Sequence, residues 1–188
     1  MLLTFLVILC LLFVLFVKFI VGIYNTLIYA RNDVKNSFAR VCVFLKRRHD
    51  LIPNLVETVK GYSQHEHQVL EDVIKARQQA VNISNDMDIA KIAEAENQLS
   101  NTLRSLFALS EAYPELKANE NFMSLQNELK STEELIANAR HGYNEDVMNY
   151  NNTIQIFPNV IFASMFNFKE EKFFETSKED EKVPTVKF

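Results

Sequence analysis

The fold is decided by residues 24–62, which read YNTLIYARNDVKNSFARVCVFLKRRHDLIPNLVETVKGY. Positions alternately three and four residues apart, from Tyr24 to Tyr62, lie on one face of a helix. This face is apolar or aromatic except at Arg31 and Arg48. Such a heptad-like pattern is typical of a long helix that packs against other helices.

An apolar run, residues 2–23, directly precedes this stretch and contains one charged residue, Lys18. As a helix the run would be about 33 Å long, which matches a hydrocarbon core of roughly 30 Å. Lys18 lies one turn from the inner end, where its side chain can extend to the lipid head groups. The alternative is a cleaved secretory signal, but no basic residue precedes the run and no A-x-A motif directly follows it. We therefore expect residues 1–23 to be a retained transmembrane anchor.

The charges that follow the run predict its orientation. Arg31, Lys35 and Arg40 lie shortly after the apolar residues, and basic residues stay preferentially on the cytoplasmic side. We expect a single-pass membrane protein with its N-terminus outside and its bulk in the cytoplasm. Cys10 and Cys42 form no plausible pair, which fits a reducing compartment.

The remaining chain is also patterned as helix. The whole chain has only three glycines and four prolines, which favours long helices over sheets. Pro53 should kink the first helix or split it near Asp50, because proline lacks a backbone donor. The spacing of apolar residues predicts three more helices, the first after a capping box at residues 63–66: residues 65–83, 88–113 and 118–157.

These elements together predict an all-α protein. Short connections between successive amphipathic helices favour antiparallel neighbours. The transmembrane helix is therefore expected to continue into a long-helix, antiparallel four-helix bundle over residues 24–157. A Phe-rich amphipathic segment, residues 158–174, follows, and the charged residues 175–188 are expected to be disordered.

The Phe-rich segment has three possible roles. It could cap the end of the bundle, contact the membrane interface, or dock onto another protomer. The possible assembly or membrane contacts are Phe162, Phe166, Phe168, Phe173 and Phe174.

The sequence contains no recognisable catalytic or cofactor motif. It lacks G-x-S-x-G, P-loop and G-x-G-x-x-G patterns. His67 and Glu71 would make only half of a metal site, and Cys42 with His49 has no visible third group. Residues 46–48 are all basic, but the chain as a whole has a net charge of −4, so nucleic-acid binding is not expected. We expect no enzymatic activity, cofactor or metal.

Charged residues on the predicted packing faces are the most informative polar groups. Arg31, Arg48 and Arg140 each need a partner, since an unpaired buried charge costs several kcal/mol. We hypothesise buried networks that set helix register, although the same residues could instead form a contact between protomers. The candidate partners are Glu133, Glu96 and Asp50, with Asn25, Asn54, Asn144 and Asn151 as hydrogen-bonding neighbours.

Several segments resemble the LemA family. They are LKRRHDLIPNLVETVKGY (45–62), YSQHE (62–66), EAYPELKANENFMSLQNEL (111–129), TEELIANAR (132–140), the Tyr-Asn pairs at 24–25, 143–144 and 150–151, and Phe-Pro at 157–158. The resemblance implies a bacterial, single-pass, N-out membrane protein with a cytoplasmic helical bundle and no established enzymatic activity. A relative is implicated in forming magnetosome membranes.

The sequence departs from the family pattern at three places. Phe38 stands where Trp is common, residues 41–43 read Val-Cys-Val instead of Ile-Asp-Val, and residues 166–168 read Phe-Asn-Phe instead of Phe-Gly-Phe. None of these departures argues against the fold.

The expected function is that of a non-enzymatic, membrane-anchored scaffold that self-associates and organises or remodels the inner membrane. The alternative is a tethered adaptor that binds a sensor, transporter or protease. The expected partners are the lipid bilayer, further copies of the chain and other membrane proteins, but not nucleic acid.

Overall fold

The computed structural model describes residues 1–62, 67–84 and 88–174. Within these residues the secondary structure is helical, with no strand, which confirms the expected all-α class. The predicted capping box at 63–66 and the predicted disorder of 175–188 lie outside the described residues. The described residues form six helices: α1 (Leu2–Lys60), α2 (His67–Ile83), α3 (Ile89–Ser110), α4 (Pro114–Lys117), α5 (Glu120–Gln155) and α6 (Asn159–Met165).

Helix α1 is not split at Pro53 but continues through it. A proline inside a helix leaves the carbonyl oxygen four residues earlier without its usual donor. Here that oxygen belongs to His49, and it accepts a hydrogen bond of 2.7 Å from Arg77 Nε on α2. The side chain of a neighbouring helix thus replaces the missing backbone donor, which explains why α1 continues.

The first third of α1 is exposed. Every residue from Met1 to Phe19 is exposed to solvent, and α1 is the one described helix long and apolar enough to cross a membrane. A long apolar helix at the N-terminus was the expectation from the sequence, and it is confirmed.

The chain forms two compact units. Of the described residues, the first unit contains 1–38 and 142–171, and the second contains 39–62, 67–84, 88–141 and 172–174. In the second unit the apolar faces of α1, α2, α3 and α5 enclose one core, together with α4. Among its most deeply buried residues are Ile52, Leu55, Val59, Val73, Leu99, Leu106, Leu116 and Phe122.

Helix α3 is shorter than predicted at its C-terminal end. Asp88 caps its N-terminus by accepting a hydrogen bond of 3.2 Å from the amide of Ala90. The helix ends at Ser110, and Pro114 begins the short helix α4. Proline is favoured at the first helical position, where its missing donor would have no partner.

In the first unit, α1 and α5 run in opposite directions. The rings of Phe38 and Tyr143 lie 5.9 Å apart, whereas Tyr24 lies 5.1 Å from Phe166, which follows the end of α5. The buried residues of this unit include Ile23, Leu27, Val34, Val147, Tyr150 and Ile154.

The segment after α6 folds back along α5. Asn167 has a φ of 58°, a left-handed conformation that glycine and asparagine adopt most readily. Asn167 therefore takes up this turn without the strain that a branched residue would have there. The segment is then held by hydrogen bonds: Tyr150 donates to the carbonyl oxygen of Lys169 at 2.9 Å, and the Asn151 amide group bonds both to the carbonyl oxygen and to the amide of Glu171 at 2.9 Å.

Candidate functional site: a buried charge cluster

Arg48 is the centre of a buried ionic cluster in the second unit. Its side chain is 1% exposed, and that of Glu96 on α3 is fully buried. One guanidinium nitrogen of Arg48 donates to the carboxylate of Glu96, and the other donates to the carboxylate of Glu133 on α5. The second nitrogen also donates to Ser100 Oγ at 2.9 Å. One arginine thereby links three helices.

His49 completes the pairing of Glu96. Its Nε2 atom lies 2.8 Å from Glu96 Oε1, the carboxylate oxygen that Arg48 does not use. Burial alone would raise the pKa of Glu96, but the hydrogen bond from His49 and the charge of Arg48 outweigh it and lower the pKa. Glu96 is therefore ionised at neutral pH, and both of its oxygens are engaged.

Arg140 brings a second guanidinium close to the cluster. Its Nη1 atom lies 3.5 Å from Asn97 Oδ1, and its guanidinium carbon lies 5.4 Å from the centre of the Phe174 ring. Burial and the charge of Arg48 lower the pKa of Arg140, while Glu96 and Glu133 oppose this effect. Two of its buried nitrogens, Nε and Nη2, have no hydrogen-bond partner among the described residues.

Two clefts adjoin the cluster within the second unit. The first encloses about 430 Å³ and is lined by Arg48 and Glu133 together with Arg104, Phe107 and Lys130. The second encloses about 340 Å³, and its lining includes Cys42, Lys46, His49, Asp50 and Arg77.

The groups in these clefts are poorly suited to nucleophilic chemistry. Burial raises the pKa of the Cys42 thiol, so the thiolate is a minor species at neutral pH. Within residues 1–62, 67–84 and 88–174, no three His, Cys, Asp or Glu side chains are grouped so as to hold a metal ion. The ionised groups of the cluster bind one another across α1, α3 and α5.

The structure divides the predicted polar network between the two units. Arg48 and Glu133 come together with Glu96, and Arg140 lies beside them. Arg31, by contrast, is in the first unit, where its guanidinium carbon lies 4.9 Å from the centre of the Phe168 ring. The half-buried Asn144 and the buried Asn151 also belong to the first unit.

Two predicted members of the network are not part of it. Asn54 is exposed, because it lies between the buried positions Ile52 and Leu55 on the solvent side of α1. Asp50 does not bind a buried arginine. It accepts a hydrogen bond of 2.5 Å from Lys46, one turn earlier on the exposed face.

The sequence reasoning missed His49 and Ser100 as members of the cluster. Glu96, which was among the candidate partners, was the clearest indication of a buried ion pair. It stands on the apolar face of α3, between Ile92 and Leu99 at the three-four spacing, and a carboxylate at such a position requires a partner. His49 gave no comparable signal, because its contact depends on how α3 packs against α1.

The Phe-rich segment is largely covered by its own chain. Phe168 and Phe174 are buried, so they are not available as assembly or membrane contacts. Phe162 is half-buried, while Phe166 and Phe173 remain exposed. Phe166 nevertheless makes an edge-to-face contact with Tyr24.

Comparison with known proteins gives a consistent result. The model of the LemA family matches residues 37–188. The chain is 25% identical over 153 residues to the LemA protein of Metamycoplasma hominis, covering 77% of this chain and 69% of that protein. It is 23% identical over 175 residues to the magnetosome protein MamQ 2 of Paramagnetospirillum magneticum, and 22% identical over 174 residues to the magnetosome protein MamQ of Magnetospirillum gryphiswaldense. These matches cover 81% and 80% of this chain but only 64% of each magnetosome protein, just under two thirds of its length.

Proposed function

The chain belongs to the LemA family, and from that premise we propose that it is a non-enzymatic, membrane-anchored helical scaffold that self-associates. The observation that carries the proposal is the continuity of α1. One uninterrupted helix contains both the exposed apolar run and Arg48, the residue that links three helices. A scaffold needs this combination of an attachment and a locked helical body.

The exposed apolar run supports the membrane anchor. Nineteen consecutive exposed residues, Met1–Phe19, form a surface far more apolar than a soluble protein normally leaves in water. A bilayer would cover this surface, with Lys18 near the head groups. The eight basic and three acidic residues of 18–60 favour an N-terminus outside and a cytoplasmic bulk, in the bacterial inner membrane.

Contacts within the second unit support an antiparallel four-helix bundle. Arg48 links α1 to α3 and α5, and Arg77 links α2 to α1. These polar contacts are specific to one alignment of the helices, because a shift by one turn would leave Arg48 and Glu96 buried and unpaired. The cluster therefore serves to set register in a folded monomer rather than to bind a substrate.

Attachment to a membrane would favour self-association. A membrane anchor restricts copies of the chain to two dimensions and raises their effective concentration, so that weak contacts suffice for assembly. The relatives named as magnetosome proteins favour a role in organising or remodelling the membrane. No contact to nucleic acid is proposed.

A membrane-tethered adaptor is the second candidate. The cleft of about 430 Å³ favours it, since Arg104, Lys130 and Phe107 line an opening where another protein could insert a side chain. A sensor, transporter or protease in the same membrane would be the partner.

Cross-linking of the full-length protein in its native membrane distinguishes these functions. The scaffold predicts ladders of copies of this chain, whereas the adaptor predicts one stoichiometric foreign protein. A matched variant, Leu11→Lys/Leu12→Lys, places two charges in the apolar run and should be extracted by carbonate and lose its cross-links. Cross-linking that yields only monomer in membranes would refute self-association, and a wild-type protein that carbonate extracts would refute the anchor.

A further inference from the structure

A row of exposed apolar side chains occupies the turn between α5 and α6 and the outer face of α6. Phe157, Ile161 and Met165 are 80%, 57% and 62% exposed. They are four residues apart, and Ile156 and Val160 beside them are also exposed. Residues 156–167 contain no charged side chain. Single exposed apolar residues are ordinary, but a contiguous group of this kind marks a contact surface.

The contacts of the first unit place this row beside the end of the apolar run. Phe38 on α1 contacts Tyr143 on α5, and the two helices run in opposite directions. Both helices rise by the same distance per residue. Thr26, twelve residues before Phe38, and Gln155, twelve residues after Tyr143, therefore lie at the same height along the pair of helices. The α5 end of the row is thus close to the level at which the apolar run ends.

The other end of the row reaches the same level. Phe166, directly after α6, lies 5.1 Å from Tyr24 in an edge-to-face arrangement, and Phe168 lies 6.1 Å from the same ring. Tyr24 is the residue that follows the apolar run. Both ends of α6 therefore lie where α1 would leave the hydrocarbon core.

We propose that Phe157, Ile161 and Met165 insert into the head-group boundary of the membrane that α1 crosses, as a second lipid contact. The inference rests on the proposed membrane anchor. The occupant is a lipid surface, because the row is continuous in level with residues 2–23, lacks charge, and has an aromatic neighbour, Tyr24, of the kind enriched at membrane interfaces. This second contact would restrain rotation of α1 about its own axis in the membrane.

Tryptophan fluorescence tests this contact, because the chain contains no Trp of its own. The full-length Phe157→Trp and Ile161→Trp variants are each reconstituted into phosphatidylcholine–phosphatidylglycerol vesicles that contain chain-brominated phosphatidylcholine. We expect a blue-shifted emission that the brominated lipid quenches severalfold. The matched control is Met148→Trp, which is also exposed and lies nine residues before Phe157, about 14 Å back along α5. Its emission should remain red-shifted and unquenched.

Phe13→Trp reports on the anchor separately. Strong quenching of Phe13→Trp, with Phe157→Trp quenched no more than Met148→Trp, overturns the second contact but leaves the anchor intact. Absence of quenching at Phe13→Trp overturns both proposals. A blue shift at Phe157→Trp without quenching by brominated lipid would show that protein covers the row, and it also overturns the lipid contact.

A charge in the row provides an independent measurement. Ile161→Asp in the Phe157→Trp background should reduce quenching to the level of Met148→Trp, while helix content by circular dichroism stays unchanged. Undiminished quenching in the folded double variant would overturn the role of the row.

Discussion

Substitution of Glu96 by Gln tests the register-setting role of the charge cluster. Gln keeps the size and shape of Glu96 but removes its charge. Arg48 would then retain only Glu133 as an ionic partner, and the side chain of Glu133 is 48% exposed. His49 would face the uncharged amide of the glutamine instead of a carboxylate oxygen. The substitution therefore leaves a buried guanidinium without its buried counter-ion.

The expected cost follows from the burial of the two partners. Removing one member of a fully buried ion pair destabilises a protein by about 3–5 kcal/mol, because the remaining charge stays desolvated. Glu133 still offsets part of this cost, which places the expectation near the lower end, at about 3 kcal/mol. In a chain of this length, 1 kcal/mol corresponds to roughly 2–4 °C in Tm, so Tm should fall by roughly 6–12 °C.

Glu133→Gln is the matched control. It removes a carboxylate bonded to the same arginine, but Arg48 keeps its buried counter-ion Glu96, and the Glu133 side chain is 48% exposed. The cost should therefore be smaller, at about 1 kcal/mol. The double variant Arg48→Met/Glu96→Met removes both buried charges at once. It should be more stable than Glu96→Gln, because a buried pair replaced by apolar residues leaves no unpaired charge.

Thermal unfolding of the detergent-solubilised full-length variants, followed by circular dichroism, measures these differences. Equal losses in Glu96→Gln and Glu133→Gln would refute the reasoning, since burial would then not determine the cost. A double variant less stable than Glu96→Gln would refute it independently.

Three further predictions concern pH, a helix carbonyl and a turn. The pKa of Glu96 is lowered in the folded protein relative to its ordinary value of 4.5. The ionised Glu96 therefore stabilises the fold fully above pH 4.5, and this contribution is lost as the pH falls through the folded-state pKa. The Tm difference between wild type and Glu96→Gln should shrink in acid, and a difference independent of pH would contradict this. Arg77→Met should cost about 1–3 kcal/mol by leaving the His49 carbonyl oxygen without a donor, and Pro53→Ala should remove most of that cost by restoring a backbone donor, which a double-mutant cycle in urea measures. Asn167→Val should cost about 1–2 kcal/mol because its left-handed conformation strains a branched residue, whereas Asn167→Gly should be neutral or stabilising; equal Tm values for the two variants would contradict the assigned conformation.

Part of the candidate site could be predicted from the sequence. Arg48 was identifiable because a charge on the apolar face of a long helix needs a partner, and Glu133 and Glu96 were among the partners considered. The spacing of residues could not show which of the three arginines share one network. Arg31 and Arg140 occupy similar positions on their helices, yet they lie beside different phenylalanines in different units.

The Phe-rich segment shows the same limit. Its composition predicted a packing or membrane surface, but periodicity could not distinguish Phe168, which its own chain covers, from Phe166, which stays exposed. That difference arises at Asn167, where the left-handed turn sends the following residues back along α5.

Local patterns in the amino-acid sequence determined the helical class, the long apolar helix and the family, because these depend on residues near one another along the chain. Tertiary packing alone decided that Glu96 would be shared by Arg48 and His49 and that Arg77 would supply a donor for the turn before Pro53. Such pairings join residues far apart in sequence. They are selected only when desolvation makes an unpaired charge or carbonyl more costly than the ordering of its partner.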